Sequence, residues 1–339
     1  DEITAGKTPT RNVGAGEAIR IMTGAPIPAG ADAVVKIEET SFDESTGEVR
    51  IDSPALGDGA NIIRQGHSMR SGERVLPAGR TLRAQELGAL AEMGEHRLSV
   101  TPLPEIAVLA TGDELVPIDQ QPGPGQIRNS NETMLLAQAR QAGCRVRSLG
   151  IARDLREILE ERIRDGLNSD VLCLSGGVSA GKLDLVPSVL ESCGVEPVFH
   201  KVRVKPGKPV WFGVREGPQP AGGRPCYIFG LPGNPVSSMV CFELFVRTAV
   251  NRLQGIEPAS PRPIEARIGT AFRHRDDRPT YFPAKLRWTT GGAIATPVDW
   301  KGSSDLRSTV DAEALIAFPA GDREYKQGDR VDVHPLGDG

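Results

Sequence analysis

The sequence has 339 residues, more than one hydrophobic core usually organises, so two or three domains are expected. Hydrophobic residues make up 39% and charged residues 25%, with a net charge of −4, the balance of an ordinary soluble globular protein and not that of a nucleic-acid binder. Aromatics at 4% are too few for stacking on single strands, and the most apolar helical stretch, 239–250, is broken by Glu243 and Arg247, short of the roughly 20 apolar residues that span a bilayer.

From residue 1 to about 72, short β-type runs such as 33–37 and 49–51 alternate with Gly, Pro and Asp, which predicts a β-rich lobe. The chain opens at Asp1 inside a strand-like run with no secretory leader ahead of it, and reads as a fragment or a processed chain. Residues 73–103 hold a helix over 83–93, with Leu87, Leu90 and Met93 at helical spacing and Gly94 as its stop, and form a connector. From 104 to 255 strands and helices alternate: strand 106–110, helix 131–141, strand 145–151, helix 155–166, strand 171–174, helix 185–192, strand 226–229. That alternation predicts a parallel sheet with helices on both faces. After Pro261-Arg262-Pro263 the pattern returns to short strands, so 256–339 is expected to be a small C-terminal β-barrel. The fold class is thus multidomain α/β plus β. The five cysteines, Cys144, Cys173, Cys193, Cys226 and Cys241, stand singly in apolar sequence and read as buried thiols of a reducing compartment.

Ligands of open parallel sheets bind beyond the carboxyl ends of the strands, where loops converge and helix N-termini point. The residues that follow the predicted strands are Thr111-Gly112-Asp113-Glu114-Leu115, Ala152-Arg153-Asp154, Ser175-Gly176-Gly177-Val178-Ser179 and Gly230-Leu231-Pro232-Gly233-Asn234-Pro235. Carboxylates gathered there suit a hard divalent cation such as Mg²⁺, and glycine turns suit phosphate oxygens. Each part also has a plainer reading. Asp154 is a helix cap or a metal ligand, Ser175-Gly176-Gly177 a bare turn or a ligand loop, and Lys205 and Lys208 solvated hairpin charges or an oxyanion pair. The five histidines are too scattered to form a site and read as structural or surface residues.

Arg20-Ile21-Met22-Thr23-Gly24-Ala25-Pro26, Thr111-Gly112-Asp113-Glu114-Leu115, Ser175-Gly176-Gly177-Val178-Ser179, Lys205-Pro206-Gly207-Lys208-Pro209 and Leu231-Pro232-Gly233-Asn234-Pro235 occur in that order over most of the chain. Together they closely resemble the signature segments of the molybdopterin molybdenumtransferase family, which includes the C-terminal domain of gephyrin. The resemblance implies four subdomains, an α/β subdomain like the molybdopterin-adenylating enzymes, and an active site shared across a homodimer. It implies a cytoplasmic enzyme that takes adenylated molybdopterin, molybdate and Mg²⁺, places molybdenum on the dithiolene and releases AMP. The adenylating enzyme would be a partner; nucleic acid and membrane would not.

By position, the resemblance makes Glu114, Asp154 and Asp184 the acidic catalytic and metal-binding residues and Thr23 a polar catalytic residue from the β-rich lobe. Lys205 and Lys208 match the molybdate side, and Ser175, Gly176, Gly177, Pro232 and Pro235 the loops beside the pterin nucleotide. Ser303, in Gly302-Ser303-Ser304, matches a serine turn of the C-terminal subdomain. The family's Asp-Asn-Ser-Ala-Met-Asp-Gly-Tyr segment has no counterpart in this sequence. Ser68 stands where the family has an acid, Asn129 where it has aspartate and Pro283 where it has arginine, with Lys285 or Arg287 as compensating cations. These departures leave a non-catalytic pterin-nucleotide-binding or scaffolding paralogue as the alternative.

Overall fold

A computed structural model describes residues 2–52, 56–178, 185–217 and 223–337. The chain divides into two compact units, Asp1–Arg80 and Thr81–Gly339. In the first, strand β1 (Glu2–Ile3) pairs in parallel with β2 (Arg20–Ile21), and β3 (Thr40–Asp43) forms a hairpin with β4 (Glu48–Ile51). The strand expected over 33–37 is absent. Its pattern is β-like, but no strand lies beside it: the Val34 N–H donates to the Ala60 carbonyl at 3.0 Å and the Val34 carbonyl accepts from Asn61 Nδ2 at 2.7 Å. Single loop contacts thus satisfy the backbone that a ladder would have used. Only Ile3 and Pro28 are buried among the described residues of this unit, while Phe42, Val49, Ile51 and Ile63 are exposed.

The second unit begins with helix α1 (Ala84–Glu92), where the buried Glu86 carboxylate accepts from the Arg83 N–H at 3.1 Å and from its guanidinium. The central domain then runs β5 (Glu105–Thr111), the short parallel pair β6 (Leu115–Val116) and β7 (Ile127–Arg128), and α2 (Ser130–Gln141). It continues through β8 (Arg145–Ala152), α3 (Arg156–Gly166), β9 (Val171–Ser175), α4 (Val186–Ser192), β10 (Glu196–His200), β11 (Trp211–Arg215) and β12 (Cys226–Leu231). Helix α5 (Pro235–Cys241) passes through a π-helical turn, Phe242–Val246, into α6 (Arg247–Leu253).

The sheet order is β10-β11-β12-β9-β5-β8. Strands β12, β9, β5 and β8 are parallel, as the alternation of strands and helices requires, but β11 runs antiparallel to both neighbours. The expectation of a parallel sheet is therefore corrected to a mixed one. The cause is the short connection after β10, too short for the crossover of a dozen or more residues that a parallel return needs. Strand alternation loads both faces. Ala107, Leu109, Leu172 and Leu174 pack with α3 and α4, and Ile106, Val108, Val171 and Cys173 with α2, α5 and α6.

Among the described residues β8 pairs only with β5, at an edge of the sheet. Against β5 its register slips between Ser148 and Ile151, and the outward Gly150 N–H there donates to Glu132 Oε1 at 3.1 Å. The Ser148 hydroxyl donates to the same oxygen.

The C-terminal region comprises β13 (Ile264–Ile268), β14 (Phe272–Asp276), β15 (Thr280–Thr289), β16 (Gly292–Pro297), β17 (Ala314–Phe318), β18 (Gly321–Tyr325) and β19 (Arg330–Pro335). Five of them close into the expected barrel, in the order β13-β16-β15-β17-β19, around Ile268, Ala295, Ile316, Phe318 and Val333. Strands β14 and β18 form a separate antiparallel pair.

Candidate active site

Strands β8, β5, β9 and β12 end at one edge of the sheet, and the loops leaving them are joined by their backbones. The Gly112 N–H donates to the Ala152 carbonyl at 3.2 Å, and the Gly176 N–H to the Leu231 carbonyl at 3.1 Å. Arg153 Nη1 donates to the Asp113 carbonyl at 2.7 Å, and the Asp154 N–H to Asp113 Oδ1 at 3.2 Å. The loops bearing Glu114 and Asp154 are thus tied to one another. Leu155, not Asp154, occupies the N-cap position of α3. Asp184 lies outside the described residues. Among the described residues no group of three His, Cys, Asp or Glu could hold a metal ion. Magnesium needs only one or two protein carboxylates when phosphate oxygens and waters fill its other positions, and Glu114 and Asp154 supply the hard oxygen donors it prefers.

The loop after β9 is shaped by close approach. Gly176 and Gly177 have φ of 97° and 64°. A Cβ on Gly176 would lie 2.5 Å from the Thr111 carbonyl oxygen, and one on Gly177 2.8 Å from Thr111 Oγ1. Only glycine meets both the left-handed backbone and the space. The Gly176 N–H is already engaged, so this residue offers a ligand proximity and not an amide. Under the loop, the buried Thr111 hydroxyl has no hydrogen-bond partner among the described residues. Leaving such a group unmet costs about 1–3 kcal/mol.

Asn131, in the first turn of α2, was passed over in the sequence. Its Nδ2 donates both to the buried Ser175 hydroxyl at 2.9 Å and to the Gly233 carbonyl at 2.7 Å, fastening the loop after β9 to the loop after β12. The signal was the run Asn129-Ser130-Asn131, short polar residues opening a helix directly after a strand-like pair.

In the loop after β12, Pro232 lies in the connection and Pro235 is the first residue of α5, where its missing N–H costs nothing. The Val236 N–H, which the helix itself leaves unpaired, donates to the Ser303 carbonyl at 3.0 Å, and Asn234 Nδ2 donates to Ser303 Oγ at 2.9 Å. Ser303 is thereby held at the same edge. Because β11 runs antiparallel to β12, the 201–210 connection also lies at this edge, with the Gly207 carbonyl accepting from Cys241 Sγ on α5 at 3.5 Å. Lys205 Nζ donates to Asp276 Oδ2 at 2.7 Å; Lys208 is exposed. The structure therefore brings Glu114, Asp154, Ser175, Gly176, Gly177, Pro232, Pro235, Ser303, Lys205 and Lys208 to one edge of one sheet. Thr23 lies in the exposed turn from Met22 to Ala25 of the first unit, apart in the chain from that edge.

Of the three departures, Asn129 caps α2 and its amide donates to Glu132 Oε2 at 2.6 Å, a contact two carboxylates could make only by sharing a proton. Pro283 is buried in β15 opposite Leu315, with Lys285 and Arg287 exposed further along the strand, and Ser68 is exposed. A cavity of about 500 Å³ opens beside the crevice, between α2 and β8, lined by Pro117, Asn129, Glu132, Ser148 and Arg153 among others. Glu132 there is already satisfied by Asn129, Ser148 and Gly150. The unmet hydroxyl lies instead under the glycine loop, at the strand-end crevice.

Residues 1–94 match the model of the MoeA N-terminal region (domain I and II), 107–252 that of a probable molybdopterin binding domain, and 265–336 that of the MoeA C-terminal region (domain IV). The chain is 34% identical over 334 residues to the molybdopterin molybdenumtransferase of Staphylococcus epidermidis, covering 98% of this chain and 77% of that protein. Identity to the Staphylococcus aureus protein of the same name is 33% over 337 residues, with the same coverage. The solved structure of the molybdopterin biosynthesis MoeA protein from Pyrococcus horikosii superposes with a TM-score of 0.79 at 31% identity, covering 100% of this chain and 80% of that one. Since this likeness runs through every region that builds or borders the crevice, the chain belongs to the molybdopterin molybdenumtransferase family and is an enzyme of molybdenum cofactor biosynthesis.

Proposed function

We propose that this chain inserts molybdenum from molybdate into adenylated molybdopterin and releases AMP. The observation that carries the reading is the gathering, at one sheet edge, of carboxylates, a glycine loop over an unpartnered hydroxyl, and two lysines. Glu114 and Asp154 would hold Mg²⁺, with Asp184 as the third acid. A bound magnesium would neutralise the phosphates and polarise the phosphoryl group under attack by water. Lys205 and Lys208 act as point charges for molybdate oxygens. Ser175, Gly176, Gly177, Pro232 and Pro235 form the wall for the pterin nucleotide, with Thr111 beneath the glycine loop, and Ser303 closes the proline side.

Thr23 completes the site from the β-rich lobe in a homodimer. Support for the dimer is the exposure of Phe42, Val49, Ile51 and Ile63 on a lobe that buries almost nothing by itself. Five buried free thiols support a reducing compartment, the cytoplasm, where the adenylating enzyme would hand over its product.

The test is to incubate the purified protein with adenylated molybdopterin and molybdate and measure AMP by chromatography. AMP release should require both molybdate and Mg²⁺, stop with chelator and return on adding Mg²⁺. In Asp154→Asn it should fall at least about tenfold, because the amide keeps an acceptor but removes the charge the cation needs. Tight binding of the pterin nucleotide with no AMP released under any metal would replace this reading by the non-catalytic one.

A further inference from the structure

Lys205 is not a free hairpin cation. Residues 203–205 are fastened to the start of β15 as an extra, one-bridge strand: Lys205 pairs in parallel with Thr280, its N–H donates to the Pro279 carbonyl at 2.9 Å, and its carbonyl accepts from the Tyr281 N–H at 2.8 Å. Arg203 Nη2 donates to the Asp277 carbonyl at 2.7 Å. On this backbone clamp the ammonium meets Asp276, the last residue of β14, whose side chain is only 12% exposed. Oδ2 of that carboxylate takes Lys205 at 2.7 Å, while Oδ1 takes the Arg278 N–H at 3.1 Å. Arg278 in turn donates through Nη1 to the Val204 carbonyl at 3.2 Å.

We infer that Asp276, contributed by the C-terminal region, is the positioning residue of Lys205. The inference rests on the reading of Lys205 as an oxyanion-binding lysine. A lysine side chain has four rotatable bonds and would sweep a wide arc from the exposed turn. Asp276 fixes it by one of its three N–H groups and leaves two for an oxyanion. Being mostly buried and held by a backbone amide as well, the carboxylate cannot swing away with the lysine, so it sets where the cation stands. Recognition of the oxyanion in the central domain therefore depends on a carboxylate about seventy residues further along the chain, separated by 71 positions.

The experiment is a double-mutant cycle read by calorimetric titration of molybdate into the full chain, with variants Lys205→Ala, Asp276→Asn and both together, each checked for native melting. Asparagine preserves volume, but its NH₂ must face one of two donors, Lys205 or the Arg278 N–H, and its neutral oxygen holds an ammonium more weakly than a carboxylate does, so the tether is weakened without opening a cavity. Asp276→Asn and Lys205→Ala should each weaken molybdate binding by roughly tenfold, and the pair by no more than Lys205→Ala alone, because the second loss acts through the first. AMP release at saturating molybdate should stay close to that of the unmodified protein in Asp276→Asn, while the molybdate KM rises. If Asp276→Asn binds molybdate normally while Lys205→Ala does not, the positioning role is overturned and the oxyanion reading of Lys205 stands. If the Asp276→Asn loss persists undiminished in the Lys205→Ala background, Asp276 acts through Arg278 and the inference fails. If Lys205→Ala itself binds normally, the oxyanion reading and the inference fall together.

Discussion

His274 sits in the buried layer between β14 and the barrel, its ring stacked on Phe318 at a centroid distance of 5.2 Å and its Nε2 2.8 Å from Thr280 Oγ1, with Nδ1 left unpartnered. Burial lowers its pKa below the ordinary 6.5, with nearby Asp276 opposing and Lys205 adding to the effect. Burial lowers His334 in the same way. As pH falls, the unfolded chain therefore binds these protons before the folded chain does. The stability conferred by the neutral rings is complete above about pH 6.5 and is lost between there and the lower folded values. Melting temperatures should drop between pH 7.5 and 5.5, and the drop should be smaller in His274→Gln, whose amide can still reach Thr280 and does not titrate. An equal drop in the variant would show that His274 does not report this acid loss.

Helix α2 joins sequence, stability and site within one element. Its Asn129 cap accepts from the Glu132 N–H at 3.3 Å and returns an N–H to the Glu132 carboxylate, so both ends of the amide are used. Asn129→Ala should cost about 1 kcal/mol in chemical denaturation. Because the first turn that it caps carries Asn131, AMP release should fall as well; a variant as stable as the parent would mean that the cap is idle. This helix was legible from the alternation of strands and helices, and so were α3, β5, β8 and β9; α1 was legible from the spacing of Leu87, Leu90 and Met93, although Leu87 and Met93 are exposed and its buried residue is Glu86. The sequence pointed to β10 and β11 only indirectly, as the two strands on either side of the Lys205–Lys208 turn, and not to their bounds. Strand β10 is mostly exposed and contains Pro197, and β11 is short, so neither has the buried apolar run that marks a central strand. The loops at the strand ends were legible because their chemistry is local: glycines under space limits, acids after strands. Asn131 bridging two loops, the orphan hydroxyl of Thr111 and the Lys205–Asp276 pair were not, since each is defined by partners that only the folded chain brings close.

At the scale of the molecule, the first unit buries only Ile3 and Pro28 among its described residues. Phe42 and Val49 face each other across the β3–β4 hairpin and are both exposed. Apolar surface of this kind is worth about 25 cal/mol per Å² when covered, so association is the expected remedy. Sedimentation at micromolar concentration should give a dimer, and Phe42→Asp should shift the equilibrium toward monomer; a monomer throughout the range would remove the shared-site reading of Thr23. The opposite problem arises at β8, whose outer row of backbone groups could accept a foreign strand. There the Gly150 N–H, at the slipped register, already donates to Glu132, which places a charge beside it. An incoming strand would have to displace a carboxylate before it could begin a ladder. A carboxylate so placed would oppose filament growth, and its value would be felt during synthesis and storage at high concentration, in the yield of protein that stays dispersed, even if turnover never called upon it.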